Sequence, residues 1–140
     1  MHPFRKAVEE RDEKGVRALL ADDVVFTSPV AFKPYVGKPI TAAILRGVMR
    51  IFEDFRYVRE IHDGSGRDHA FVFETGIAGA PGVKITGCDF LHFNYDGLID
   101  DFVVMVRPLS GAKALSKAMG AQFDRIQQEA LELADEFTTA

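Results

Sequence analysis

Asp89 is the residue of this sequence whose surroundings most demand an explanation. It stands inside Thr86-Gly87-Cys88-Asp89-Phe90-Leu91-His92-Phe93, an otherwise apolar run. Strand alternation puts Asp89 on one face with Leu91 and Phe93, and Cys88 on the other with Phe90 and His92. A carboxyl group among apolar side chains must be neutralised, paired or functional. Arg107 falls on the opposite face, so no cation is placed to pair with Asp89. Desolvation without a countercharge raises a carboxyl pKa, and Asp89 is therefore expected to keep its proton near neutral pH. A protonated carboxyl can donate a hydrogen bond to a ligand carbonyl and stabilise charge that develops on its oxygen. The plainer reading is a structural hydrogen bond on a half-exposed sheet face. His92 reads as a sheet-face or interface residue.

Other constellations carry less. His62, Asp63, Asp68 and His69 flank the turn signal Gly64-Ser65-Gly66. If the loop is Ser65-Gly66, His62 stands opposite His69, and two imidazoles with two carboxylates are a donor set for a divalent metal. If the loop is Gly64-Ser65, the register moves and the pairing is lost. Solvation of an exposed turn explains the same residues, and no metal is expected. Ser110-Gly111-Ala112-Lys113 matches the S-x-x-K pattern of acyl-serine enzymes, but the partner motifs are missing and a Ser near a helix start is expected to cap it. Asp100 and Asp101 read as solubility and edge protection at a strand start. Gly76, Gly79 and Gly82 lack the strand-to-helix context of a phosphate or dinucleotide loop and read as a turn.

The elements that must position these residues follow from periodicity. Phe4, Ala7, Val8 and Arg11 stand at helical spacing, which Val16, Leu19 and Leu20 continue. Val24 to Thr27 reads as a short strand, closed by Ser28-Pro29. Residues 29–39 carry Pro29, Pro34, Gly37 and Pro39, which is loop chemistry. Ile40, Ile44, Val48 and Ile51 form a helical stripe with Leu45, Met49 and Phe52 beside it. From Phe55 the period drops to two, with Phe55, Tyr57, Arg59 and Ile61 alternating with their neighbours. Return strands are expected at 68–77, 83–95 and 98–106, the last two joined at Asp96-Gly97. After Pro108 the pattern is helical again, through Leu115, Ala118 and Met119, then Phe123, Ile126, Ala130, Leu133 and Phe137, with a bend or break at Gly120. Strands and helices segregate, which indicates the α+β class.

The chain of 140 residues suits one domain spanning 1–140. Twelve Phe and 27% charged residues argue against disorder. A net charge of −4 lacks the basic footprint of a nucleic-acid binder. The single Cys88 forms no internal disulfide and fits a reducing compartment. No apolar run approaches the roughly 18 residues of a membrane span, and the N-terminal residues are charged where a signal peptide is apolar. A cytoplasmic protein that engages neither nucleic acid nor membrane is expected.

The stretch Val16-Arg17-Ala18-Leu19-Leu20-Ala21-Asp22-Asp23-Val24-Val25-Phe26-Thr27-Ser28-Pro29, after Arg11-Asp12, resembles the SnoaL-like branch of the nuclear transport factor 2-like superfamily. Gly37-Lys38-Pro39-Ile40, Gly87 to Ile99 and Met105-Val106-Arg107-Pro108 carry the same likeness, so it covers nearly the whole chain. It implies a cone-shaped fold in which a curved, mostly antiparallel sheet wraps around N-terminal helices and encloses a deep apolar pocket, with a C-terminal helix added. The group includes ketosteroid isomerase, limonene epoxide hydrolase, polyketide cyclases and non-enzymatic scaffold proteins. Ketosteroid isomerase uses an Asp base with a Tyr and a protonated Asp as donors to the oxyanion. Counting from the shared Ala21-Asp22-Asp23, the base position falls on Ser28, the Tyr position on Phe4, and the protonated Asp on Asp89. Only the last is matched, so the likeness does not imply steroid isomerase chemistry. The two carboxylates and Arg of the epoxide hydrolase are also missing, and a cyclase would have to rely on Asp89.

Alternation and the family count together predict the pocket lining: Phe4 and Val8 from the first helix, Phe26 and Ser28 from the first strand, and Ile44, Leu45 and Met49 from the second helix. Phe102, Val104 and Val106 complete it from the last strand. The expected ligand is a small hydrophobic, carbonyl-containing molecule, with no cofactor. Two function classes stand: an enzyme with Asp89 as acid or acid/base and Ser28 as a polar helper, or a non-catalytic ligand-binding or scaffold protein. Both faces of the long strands are apolar while helices cover only one, which predicts a homodimer through the convex face. The alternative is a C-terminal helix lying over that face.

Overall fold

A computed structural model describes residues 1–139. Its elements run α1 (Pro3–Glu9), α2 (Glu13–Ala18), β1 (Leu20–Thr27), β2 (Tyr35–Val36), α3 (Lys38–Ile51), β3 (Phe52–His62), β4 (Asp68–Ile77), β5 (Lys84–Phe93), β6 (Ile99–Arg107), α4 (Leu109–Gly120) and α5 (Phe123–Thr139). The six strands form one sheet in the order β2-β1-β6-β5-β4-β3. Only β1 and β6 run parallel; every other pair is antiparallel. This is the α+β class, with a curved, unclosed sheet and helices at both ends of the chain.

The N-terminal helical pattern divides into two helices. Arg11 adopts φ 55 just after α1, and Asp12 caps α2 by accepting the Gly15 N–H at 3.0 Å. An acceptor side chain at that position offers the backbone an alternative to continuing the first helix. α2 ends at Ala18, and Leu20 opens β1, so Leu20 belongs to the sheet and not to the helical stripe. The short strand β2 lies inside the segment read as loop. α4 begins at Leu109 after Pro108, which places Ser110 inside its first turn without a side-chain capping bond. Ser110 and Lys113 are both exposed.

The sheet folds its concave face over α1, α2, α3 and α4. Phe4, Phe71, Phe73, Phe102, Leu20 and Ile99 are each at most 1% exposed and form the centre of the core. α5 packs on the outer side of α3. There the Glu129 carboxylate accepts from Arg46 Nη1 at 2.9 Å and Arg50 Nη1 at 3.0 Å, and Ile126 lies against Gly47. The C-terminal helix therefore does not cover the convex sheet face. No described helix is long and apolar enough to cross a membrane.

Candidate functional site

Asp89 sits at the middle of β5, opposite Phe71 on β4 and Val104 on β6. Those partners share its face, as do Leu91 and Phe102, so the carboxyl points into the concave side among rings and branched aliphatics. Asp89 is 6% exposed. Its Oδ2 accepts a hydrogen bond from Tyr57 Oη at 2.6 Å, at the short end of the O–H···O range. Desolvation pushes the Asp89 pKa up from 3.8 to about 7, and the Tyr57 bond keeps it from rising further. Tyr57, itself 4% exposed, is raised well above the ordinary phenol value by burial and then by the Asp89 charge, and it remains a donor. Arg107 is exposed and pairs with Thr86, away from the carboxyl.

Tyr57 was not singled out by sequence reasoning. Unbroken alternation would place Phe55, Tyr57, Arg59 and Ile61 on one face. The β3–β4 register instead shifts between Tyr57 and Arg59, so Tyr57 pairs with Phe73 on the inside while Ile61 pairs with Ala70 on the outside. A shift of one residue inverts every later side chain. The signal that could have prompted a search is general: a buried carboxyl needs a donor, and a tyrosine on a neighbouring strand can supply one.

Asp89 and Tyr57 border a cavity of about 110 Å³. Phe4 and Val8 of α1, Phe26 of β1, Ser28, Ile44, Leu45 and Met49 of α3, and Phe102 and Val104 of β6 line the same cavity. Val106 does not. It stands opposite Gly87, beyond the cavity end, where it packs against the core. Further walls come from Phe52, Phe55 and Phe73, from Leu115 and Met119 of α4, and from Glu9 and Arg11. The ring of Phe73 occupies the space over Gly87, where a Cβ would come within 2.2 Å of it. Ser28 Oγ accepts the Val30 N–H at 3.1 Å and so shapes the turn beside the cavity. Arg11 is spent on main-chain carbonyls, donating to Met49 O at 2.9 Å and Phe52 O at 3.3 Å.

The remaining candidates lie elsewhere. His62 does pair with His69, but across a longer turn than two residues, with Asp63 N–H donating to Asp68 O at 3.1 Å. The ring nitrogens contact main-chain oxygens, His62 Nδ1 at Asp63 O and His69 Nε2 at Gly66 O, and the Asp63 carboxylate accepts from Ser65 Oγ. Among the described residues, no three His, Cys, Asp or Glu side chains converge as a metal site. His92 Nδ1 lies 2.6 Å from Asp100 Oδ1 on the outer face, and Asp101 is exposed beside it.

Comparison with known proteins identifies the family and the fold. A family model described as a SnoaL-like domain matches residues 2–102. A steroid delta-isomerase from Pseudomonas aeruginosa is 38% identical, with 89% of this chain and 89% of that chain covered and a TM-score of 0.80. An uncharacterized protein with a cystatin-like fold from Silicibacter pomeroyi DSS-3 is 35% identical over 86% of this chain and 82% of its own, with a TM-score of 0.78. A protein assigned as a SnoaL-like polyketide cyclase from Shewanella denitrificans OS-217 shares the fold at 18% identity, covering 86% of this chain and 93% of its own, with a TM-score of 0.60. No curated protein matches the sequence.

Proposed function

The chain belongs to the SnoaL-like domain family of the nuclear transport factor 2-like superfamily, and from that premise we propose that it binds a small hydrophobic carbonyl compound in the Asp89 cavity and acts on it by isomerase- or cyclase-type acid–base chemistry. The observation that carries this reading is the buried Tyr57–Asp89 bond at the wall of an apolar cavity. A carboxyl that holds its proton to about pH 7 presents an O–H to a ligand carbonyl among apolar walls. Tyr57 orients it, and holds the carboxylate once the proton has moved. The steroid delta-isomerase relative supports a carbonyl substrate. Ser28 and Phe4 argue that the other groups of such a site are not arranged as in ketosteroid isomerase. No cofactor is required by this chemistry. The protein is further proposed to work as a homodimer joined through the convex face of the sheet.

The test is the carbonyl stretch of bound ¹³C-labelled 2-tetralone, read by difference infrared spectroscopy. The native protein should bind the ketone and move the stretch to lower frequency. Asp89→Asn, which keeps size and a donor, should retain binding; Asp89→Leu should lose the shift and the preference for the ketone over its hydrocarbon, tetralin. An unshifted stretch in the native protein, or equal shifts in the native and Asp89→Leu proteins, would remove the reading. A non-catalytic binding role is the second reading, and the absence of a carboxylate at Ser28 favours it. A native protein that binds the ketone but turns over no carbonyl compound offered to it would support that role.

A further inference from the structure

Two carboxylates, not one, border the cavity: Asp89 at its buried wall and Glu9 at the end of α1. They differ in burial and in partners. Asp89 is 6% exposed and has one donor, a phenol. The Glu9 side chain is 26% exposed and ion-paired, its Oε1 accepting from Arg5 Nε at 3.1 Å. Its Oε2 accepts the main-chain N–H of Tyr57 at 3.3 Å. Tyr57 therefore spans the pair, with Glu9 on its backbone and Asp89 on its phenol. Both carboxyl groups are thus fixed to one residue, and both line the same cavity.

A merely structural role for Glu9 would be to tie α1 to β3. Arg5 already makes that tie, donating to Tyr57 O at 3.2 Å and to Glu60 Oε1 at 3.3 Å. Glu9 adds a carboxylate on the cavity side. Each of its oxygens accepts one of these two hydrogen bonds and keeps a lone pair for a further contact.

We propose that Glu9 is the base of this site and takes a proton from the carbon next to the bound carbonyl. The assignment rests on the carbonyl-binding reading above. In the step, the C–H bond breaks and the proton passes to a Glu9 oxygen. The C–H electron pair becomes a C=C bond, and the carbonyl π pair moves to the oxygen, which takes the Asp89 proton. The products are a neutral enol, a Glu9 carboxylic acid and an Asp89 carboxylate held by Tyr57 O–H. Return of the proton from Glu9 to a different carbon of a conjugated enol shifts a double bond, and Asp89 recovers its own proton. Atoms and charge balance with no co-reactant, as isomerisation requires.

The experiment follows deuterium entering the α-carbons of 2-tetralone in D₂O by NMR, alongside the dissociation constant and the carbonyl shift. The native protein should accelerate exchange over buffer. Glu9→Gln should lower that acceleration by about 100-fold or more, the scale of a removed general base, while leaving the dissociation constant within about threefold and the carbonyl shift in place. Glu60→Ala removes the side-chain anchor of Arg5 on β3, leaves both donors of Glu9 in place, and should retain exchange within a few-fold. Native-like exchange in Glu9→Gln overturns the assignment. So does an equal loss in Glu60→Ala, which would make the α1–β3 tie and not the Glu9 carboxylate the source of exchange, or a native protein that binds with a shifted carbonyl and exchanges no faster than buffer. An unshifted carbonyl in the native protein removes the parent reading, and the assignment falls with it.

Discussion

A phenol and a carboxyl group buried separately in an apolar wall would each carry a desolvation cost, and Tyr57 with Asp89 offsets both through one bond of 2.6 Å. The offset is incomplete, because Asp89 still titrates near 7 and not at 3.8. Between those values the folded protein holds a proton that the unfolded chain has lost, so folding stability falls as pH rises through that window and levels off above it. At about 1.4 kcal/mol per pH unit, a pKa moved from 3.8 to about 7 makes the loss about 4 kcal/mol. Asp89→Asn has no proton to lose. Urea unfolding at pH 5, 6, 7 and 8 should show the stability difference between the Asp89→Asn and native proteins moving in favour of the variant as pH rises. A difference independent of pH would show that Asp89 ionises at an ordinary value. Tyr57→Phe tests the partner. The lost bond favours the carboxylate, so the Asp89 midpoint should move above 7, read by ¹³C NMR of the labelled carboxyl. A midpoint that moves down would mean that the phenol destabilises the carboxylate.

At the scale of elements, the close approach of β5 to β4 depends on Gly87. A Cβ there would fall 2.2–2.8 Å from three atoms of the Phe73 ring, and that ring is already flanked by Phe52, Phe55 and Tyr57 at centroid distances of 5.1–6.3 Å. Phe73 also lines the cavity, so a displaced ring can move into it. Gly87→Ala should therefore cost about 1–3 kcal/mol, as overpacking does, and weaken ketone binding. Adding Phe73→Leu should recover most of the stability, measured by denaturant unfolding. No recovery would mean that Gly87 acts through its backbone. The same elements show what a sequence discloses. Strand faces were legible in β5 because Asp89, Leu91 and Phe93 alternate without interruption, and in β6 beyond the extra residue Asp100, where the lining from Phe102 and Val104 followed. β3 was not legible, because its two register shifts, near Asp54 at φ 54 and before Arg59, leave no mark in the hydrophobic pattern. Glu9, Leu115 and Met119 were missed for a different reason. Their approach to the cavity depends on how α1 and α4 pack against the sheet, which no periodicity encodes.

At the scale of the molecule, the convex sheet face is where the fold leaves apolar surface open. Strand register sets Ile61, Ala70, Phe90 and Val103 in one row across β3–β6, and Arg59, Val72, Cys88 and Met105 in the next. Phe90 is 42% exposed, Met105 59% and Ile61 50%, while α5 is engaged on α3. Polar rows flank this centre on both sides. Asp68, His92 and Asp101 lie at one end, and Glu74, Thr86 and Arg107 at the other, with Glu74 paired to Arg56 at 3.2 Å. An apolar centre with a polar rim is the anatomy of a protein interface. A two-fold axis through the patch would let one surface serve both copies. We therefore expect a homodimer at micromolar concentration in sedimentation equilibrium. Phe90→Glu places a charge in the central row of both copies and should shift the protein to monomer without lowering its unfolding free energy as a monomer, because the side chain already faces outward. The cavity opens on the opposite side of the sheet, so ketone binding by that monomer should match the native protein. A native protein that sediments as a monomer would exclude the dimer. A Phe90→Glu protein that remains a dimer would move the contact to another face.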